Sequence, residues 1–217
     1  YTIPRHPSTF RRTIMSNQKK RKYQLRKRAE AMEDTRRRIT EAAVELHGSV
    51  GPARTTVTAV AERAGVQRHT VYRHFPTEED LFAACSGHFY EANPLPDPEA
   101  WTRISDPKQR LETALDDLYR YYERTEKMTA NVFRDAELVP AIPAALAPFL
   151  AYLQDVAHVL AAGWPARGAR RRVVIAAIRH AVDFRTWQTL IRDGGIARAQ
   201  GITLAVALIE RASNPAR

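Results

Sequence analysis

Residues 56–81 read Thr56-Val-Thr-Ala-Val-Ala-Glu-Arg-Ala-Gly65-Val66-Gln67-Arg68-His69-Thr70-Val71-Tyr72-Arg73-His74-Phe75-Pro76-Thr77-Glu78-Glu79-Asp80-Leu81, and the spacing of apolar side chains here decides the fold. Thr56 suits a helix N-cap, and Val57, Val60, Ala61 and Ala64 follow at the offsets of one helix face. Gly65 supplies the left-handed backbone that ends this helix, Val66 turns inward, and a second short helix from about Gln67 to Phe75 buries Val71 and Phe75. Each would be about 13 Å long at 1.5 Å per residue, too short to be stable alone. Both must pack on a neighbour.

That neighbour lies upstream. From Asp34 onward Ile39, Ala42, Ala43 and Leu46 form an apolar stripe that stops near Gly48 and Gly51-Pro52. Downstream, Pro76 closes the second short helix, and Thr77 with Glu78, Glu79 and Asp80 opens a fourth, whose apolar side is Leu81, Phe82, Cys85 and Phe89. The Pro94-Leu-Pro-Asp-Pro98 stretch is the best domain boundary. Beyond it the pattern predicts helices over about Pro107 to Thr125, Thr129 to Leu138, Pro143 to Ala162, Arg170 to Arg192 and Ile196 to Ala212, with no period-2 strand segment competing. The fold class is therefore all-α. Residues 34–90 form a three-helix helix-turn-helix domain and residues 91–217 a helical domain, preceded by a basic arm over 1–33.

The net charge of +10 is concentrated in that arm. Residues 1–28 hold ten basic side chains and no acid, residues 29–90 sum to −2, and residues 91–217 to +2. Such a block is expected to stay disordered by self-repulsion and to serve as an arm for a polyanion, a solvated leader being the alternative. Met15 is a plausible start, and Lys19, Lys20, Arg21, Lys22, Arg26, Lys27 and Arg28 would survive it.

Several classes are disfavoured. Cys85 is the sole cysteine, read as a buried structural residue; it excludes an internal disulfide and fits a reducing, cytoplasmic setting. The longest charge-free stretch, residues 138–154, is short of a bilayer span and holds Pro140, Pro143 and Pro148, and no apolar segment follows the basic N-terminus as in a signal peptide. No Gly-rich phosphate loop, metal-ligand spacing or nucleophile motif supports an enzyme, a metal or a cofactor.

A helix, a glycine turn and a second helix packed on a preceding one form the arrangement whose second helix can enter a DNA major groove about 12 Å wide. With Val71 and Phe75 inward, Gln67, Arg68, His69, Thr70, Tyr72, Arg73 and His74 share the remaining faces, and nearly all can hydrogen-bond. The run from Thr56 to Leu81, with Ala-Gly-Val, Thr-x-Tyr-x-His-Phe and an acidic fourth-helix start at fixed spacing, closely resembles the DNA-binding domain of the TetR family of bacterial transcriptional regulators. The resemblance covers about residues 34–90; beyond it only the architecture is similar. It implies phosphate contacts from Thr56, Tyr72, His74 and the Thr77 end of the fourth helix, and base reading by Arg68, His69 and Thr70 with Gln67 and Thr58 at the margins. It departs from the family pattern at His69, where many members have a small residue or Pro, and at Glu78, where many have Lys.

The resemblance further implies a ligand-responsive repressor that binds a palindromic operator as a homodimer, with a small-molecule effector in the C-terminal region. The alternative is a DNA-binding regulator without an effector, gated by a protein or acting architecturally. The last two helices carry more apolar face than one small core requires, which points to a dimer bundle, the alternative being a larger monomer core. Tyr119, Tyr122, Phe133, His180, Phe184 and Trp187 are the candidates for an effector pocket, with aromatic core as the competing reading.

Overall fold

The computed structural model describes residues 9–214, with side chains from residue 21 onward. Helix α1 (Thr9–Ser49) leads through a 3-10 turn at Pro52–Arg54 into α2 (Val57–Ala64), α3 (Arg68–His74) and α4 (Glu78–Ala92). The second part holds α5 (Pro98–Thr102), α6 (Pro107–Asp135), α7 (Ile142–Leu160), α8 (Gly168–Val182), α9 (Phe184–Trp187) and α10 (Arg198–Ser213), with a π-helical stretch at Gln188–Asp193. No strand occurs among the described residues.

The local signals act as their chemistry requires. Thr56 Oγ1 accepts the Ala59 N–H at 3.1 Å and Gly65 ends α2 at φ 64°, so α2 and α3 meet at a tight left-handed turn. Ile39, Ala43, Val60, Val71 and Phe75 are all but inaccessible and join α1, α2 and α3 into one core, completed by Leu81 and Cys85 of α4. A larger core joins α6, α7, α8 and α10, and α8 packs on α10. Within it Arg110, buried at the start of α6, donates to the carbonyls of Ile104 and Ala162 and so caps the chain leaving α7.

Three expectations are corrected. The arm is not disordered from residue 9 onward: α1 begins at Thr9 and crosses the boundary drawn at residue 34. Residues 9–47 contain no Gly or Pro, and adding turns to a packed helix avoids the nucleation cost, so propagation outweighs the repulsion among the basic side chains. Arg26 pairs with Glu30 at 2.7 Å and Lys27 lies over the Tyr23 ring at 5.1 Å on this segment. The side chains of Lys19 and Lys20 lie outside the described ones. Second, α6 runs unbroken where a gap was expected after Thr125, whose buried hydroxyl is satisfied within the helix by donating to the Tyr121 carbonyl at 2.8 Å. Third, the helix expected over 170–192 breaks at Asp183, whose carboxylate caps α9 by accepting the Arg185 N–H at 2.7 Å.

Candidate nucleic-acid interface

Helix α3 is held by its buried side and presents the other. Val71 and the flanking Phe75 are 2% exposed, whereas Gln67, Arg68, His69, Tyr72 and Arg73 are exposed and Thr70 is half-buried. Arg68 Nη2 donates to the Tyr72 hydroxyl at 3.1 Å and its guanidinium lies over that ring at 5.6 Å, so the two project as a pair. Thr56 and Thr58 are exposed at the start of α2. Thr56 spends a lone pair on its cap but keeps its O–H to donate. An outward surface of hydrogen-bonding groups thus stands on a short helix seated by Val71.

Two expected contacts are not supported by the geometry. His74 is half-buried, its Nε2 is enclosed without a hydrogen-bond partner among the described residues, and burial, reinforced by Arg73 and Arg36, lowers its pKa. Its ring is turned inward as a neutral group. At the start of α4, Thr77 and Asp80 form a reciprocal capping box, each side chain accepting the other's backbone N–H at 3.1 Å. Two donors expected to face a phosphate are therefore used, in a turn already carrying Glu78, Glu79 and Asp80.

Beneath this surface are two adjoining hollows. A cleft of about 260 Å³ lies under α2, α3 and the start of α4 and includes Thr56, Tyr72 and Thr77 in its wall. A cavity of about 60 Å³ lies between α1, α4, α6 and α7, walled by Cys85, Tyr90, Tyr121, Met128, Phe133 and Phe149 among others. His47 and Phe82 line both. Their rings stack at 4.9 Å and 17°, forming a partition. His47 is 4% exposed, and burial pushes its pKa down to about 4, partly opposed by Asp135, so the imidazole is neutral at pH 7. No Asp, Glu, Lys or Arg lines the cavity. Burial also holds the Cys85 thiol up at about 12, which leaves it unreactive.

Of the six residues expected to form an effector pocket, Phe133 alone lines this cavity. Tyr119 and Tyr122 are fully buried and donate to the carbonyls of Ala181 and Val182, fixing the end of α8. Phe184 and Trp187 sit in the same core, the Trp187 Nε1 without a partner among the described residues. His180 is exposed, 3.2 Å from the Thr186 hydroxyl. The cavity was missed because it is walled jointly by α4 and by α6 and α7, with His47 of α1, and in the sequence Phe82, Cys85 and Phe89 read as ordinary small-domain core. The one available signal was that α4 carries more apolar surface than a three-helix core can cover.

The C-terminal end of α6 clamps α1. Asn131 Nδ2 donates to the carbonyls of His47 and Gly48, both at 3.0 Å, and Arg134 donates to Val50 O at 3.3 Å. Asp135, buried, accepts the Ala53 N–H at 3.0 Å and pairs with Arg134 at 2.7 Å, and the Arg134 guanidinium holds its pKa down. Met128, Thr129, Val132 and Phe133, on the same turns of α6, face the cavity. These interactions were not foreseen, because spacing along one helix says nothing about a partner more than 80 residues away.

A capped two-helix turn with an outward polar face, joined to a larger helical body, defines a helix-turn-helix protein of two helical parts. Over residues 39–85 the chain matches the family described as bacterial regulatory proteins, tetR family. It is 34% identical over 113 residues to the HTH-type transcriptional repressor KstR of Mycolicibacterium smegmatis, a match covering 50% of this chain and 55% of that one. The chain thus spans about half the length of the KstR relatives it matches. Among solved structures, a transcriptional regulator from Rhodococcus sp. Rha1 superposes with a TM-score of 0.53 at 18% identity, covering 80% of this chain and 95% of that one. The multidrug binding protein EbrR, solved with imidazole, superposes with a TM-score of 0.53 at 22% identity, covering 80% and 88%. No helix among the described residues is long and apolar enough to cross a membrane.

Proposed function

We propose that the chain is a transcriptional repressor that binds a palindromic operator as a homodimer through α3 and releases it when a neutral, largely apolar small molecule occupies the cavity beneath. The observation that carries this reading is the outward face of α3: Gln67, Arg68, His69 and Tyr72 are exposed while the same helix is anchored by Val71. Arg68 has the fork geometry to read guanine O6 and N7, a contact worth roughly 1–3 kcal/mol of base discrimination, and Tyr72 and Thr56 can donate to phosphates. Repression is in keeping with the name of the KstR relative, and a small-molecule effector with that of EbrR.

The effector class follows from the cavity lining. With no charged side chain and a neutral His47, a charged ligand would be desolvated without a counter-charge. His47 and the hydroxyl-bearing Ser86, Tyr90, Tyr121 and Thr129 are the polar residues that could orient a neutral one. A ligand too large for this small cavity must displace its walls, and one wall is the His47–Phe82 partition shared with the cleft under α3. Occupancy is thereby converted into movement at the DNA-facing helices, aided by the clamp between α6 and α1.

Dimerisation through α8 and α10 is supported by their outward stripes. Val173 is 55% exposed on α8, and Leu204 and Leu208 are 53% and 50% exposed on α10, which packs alongside. Two copies joined there would form a four-helix bundle. The reading is tested by titrating neutral apolar compounds into the protein bound to fluorescent operator duplex. Saturable release by one such compound, with no release by its carboxylate analogue, is expected; release by charged compounds alone would contradict it.

A further inference from the structure

The basic N-terminal part of α1 is the strongly charged feature that the reading above leaves unused. From residue 21 to residue 34 every residue is exposed, and α1 enters the body only at Thr35. Its exit point is fixed by two arginines. Arg36 Nη1 donates to the carbonyl of His74 at 2.7 Å with its guanidinium 4.2 Å from the centre of the Phe75 ring, and Arg38 donates to the carbonyl of Ala64. The extension therefore leaves the molecule between the α2–α3 turn and the C-terminal end of α3, beside the helix assigned to the groove.

Charge and shape then select a partner. Residues 9–29 carry nine Lys and Arg and no acid, whereas residues 29–90 sum to −2, so the folded helix-turn-helix domain offers a polyanion no net attraction of its own. A helix about 10–12 Å across cannot enter a minor groove about 6 Å wide, but it can lie along phosphates or in a major groove about 12 Å wide. Residues 9–34 span about 39 Å, close to one turn of B-DNA. An anionic bilayer is the poorer match, because the large apolar side chains exposed over 21–34 are Tyr23, Leu25 and Met32, with the Lys27 ammonium 5.1 Å from the Tyr23 ring, too few for an inserting face. We propose that the extension of α1 is a second DNA-binding element, a basic helix lying along the phosphates of the duplex that flanks each half-site. The proposal rests on α3 as the helix that reads the half-site.

The test compares the full chain with a variant carrying Lys19→Gln, Lys20→Gln, Arg21→Gln, Lys22→Gln, Arg26→Gln, Lys27→Gln and Arg28→Gln, a change that keeps helix-forming side chains. Duplexes enriched from a random library by the full chain are used in two lengths, trimmed to the half-sites or with about 12 base pairs added on each side. The flanks should strengthen binding of the full chain but not of the variant. On the longer duplex the variant's slope of log K against log salt should be shallower by about 3, so that raising salt from about 50 to 200 mM costs it about 60-fold less affinity. Equal slopes, or a difference that persists unchanged on the trimmed duplex, would overturn the proposal. So would binding of the full chain to phosphatidylserine vesicles with no difference between the two proteins on DNA. If no sequence is enriched, the α3 reading fails by itself, and slopes on a random duplex still decide the role of the extension.

Discussion

Gly51 shows how much can hang on one residue at the joint between the two parts. Its φ of 94° already favours glycine, and an added Cβ would meet the Arg134 guanidinium and lie 2.6 Å from Asp135 Oδ2. Gly51→Ala should lower unfolding stability by about 1–3 kcal/mol, read from the urea midpoint at constant slope, since both the strained backbone and the α6 clamp are affected. His47 makes a pH prediction. Its folded-state pKa, about 4, lies below the ordinary 6.5, so the unfolded chain binds the proton first and stability is lost as pH falls from about 6.5 to about 4. A shift of that size corresponds to about 3 kcal/mol, and His47→Phe, which keeps a ring against Phe82, should flatten the decline in urea midpoint over that window. An identical decline in the variant would show that His47 is not its source. On the outward face, Tyr72→Ala should weaken binding to all duplexes alike, whereas His74→Ala, whose ring is turned in, should act on stability more than on DNA. Parallel affinity and urea measurements separate the two effects.

At the scale of elements, the outward faces of α8 and α10 predict that Leu204→Glu combined with Leu208→Glu yields a folded monomer, seen by sedimentation with an unchanged helical circular dichroism signal. A variant that stays dimeric would place the interface elsewhere. Elements with a strong local cause were legible in the sequence: Thr56, Gly65 and the Thr77 cap mark α2, α3 and α4 to within a residue or two. Where a break or continuation depends on a side chain's choice of partner, periodicity was silent. Thr125 satisfies its buried hydroxyl within α6, where the helix continues, while Asp183 bonds forward to cap α9 where α8 ends. The basic extension misled for a related reason: charge repulsion is visible in composition, but the packed helix that propagates into it is not. The same division applies to the site. The exposed face of α3 follows from the spacing of Val71 and Phe75, whereas the inward turn of His74 and the walls of the cavity depend on tertiary neighbours.

Across the whole molecule, the two parts are joined where function requires it. The turns of α6 that face the cavity also hold the end of α1, and the His47–Phe82 stack separates the cavity from the cleft under α2 and α3. Filling the cavity with Ala145→Phe should therefore mimic an effector, lowering operator affinity by about 5–150-fold while leaving base preference unchanged. The central claim, that α3 reads sequence, is tested most directly by selecting duplexes from a random library with the full chain and with Arg68→Ala. The account predicts that the full chain enriches a palindrome and that Arg68→Ala relaxes preference at one or two base pairs in each half-site, leaving the others as they were. Enrichment of the same sequence by both proteins, or of none by the full chain, would contradict it.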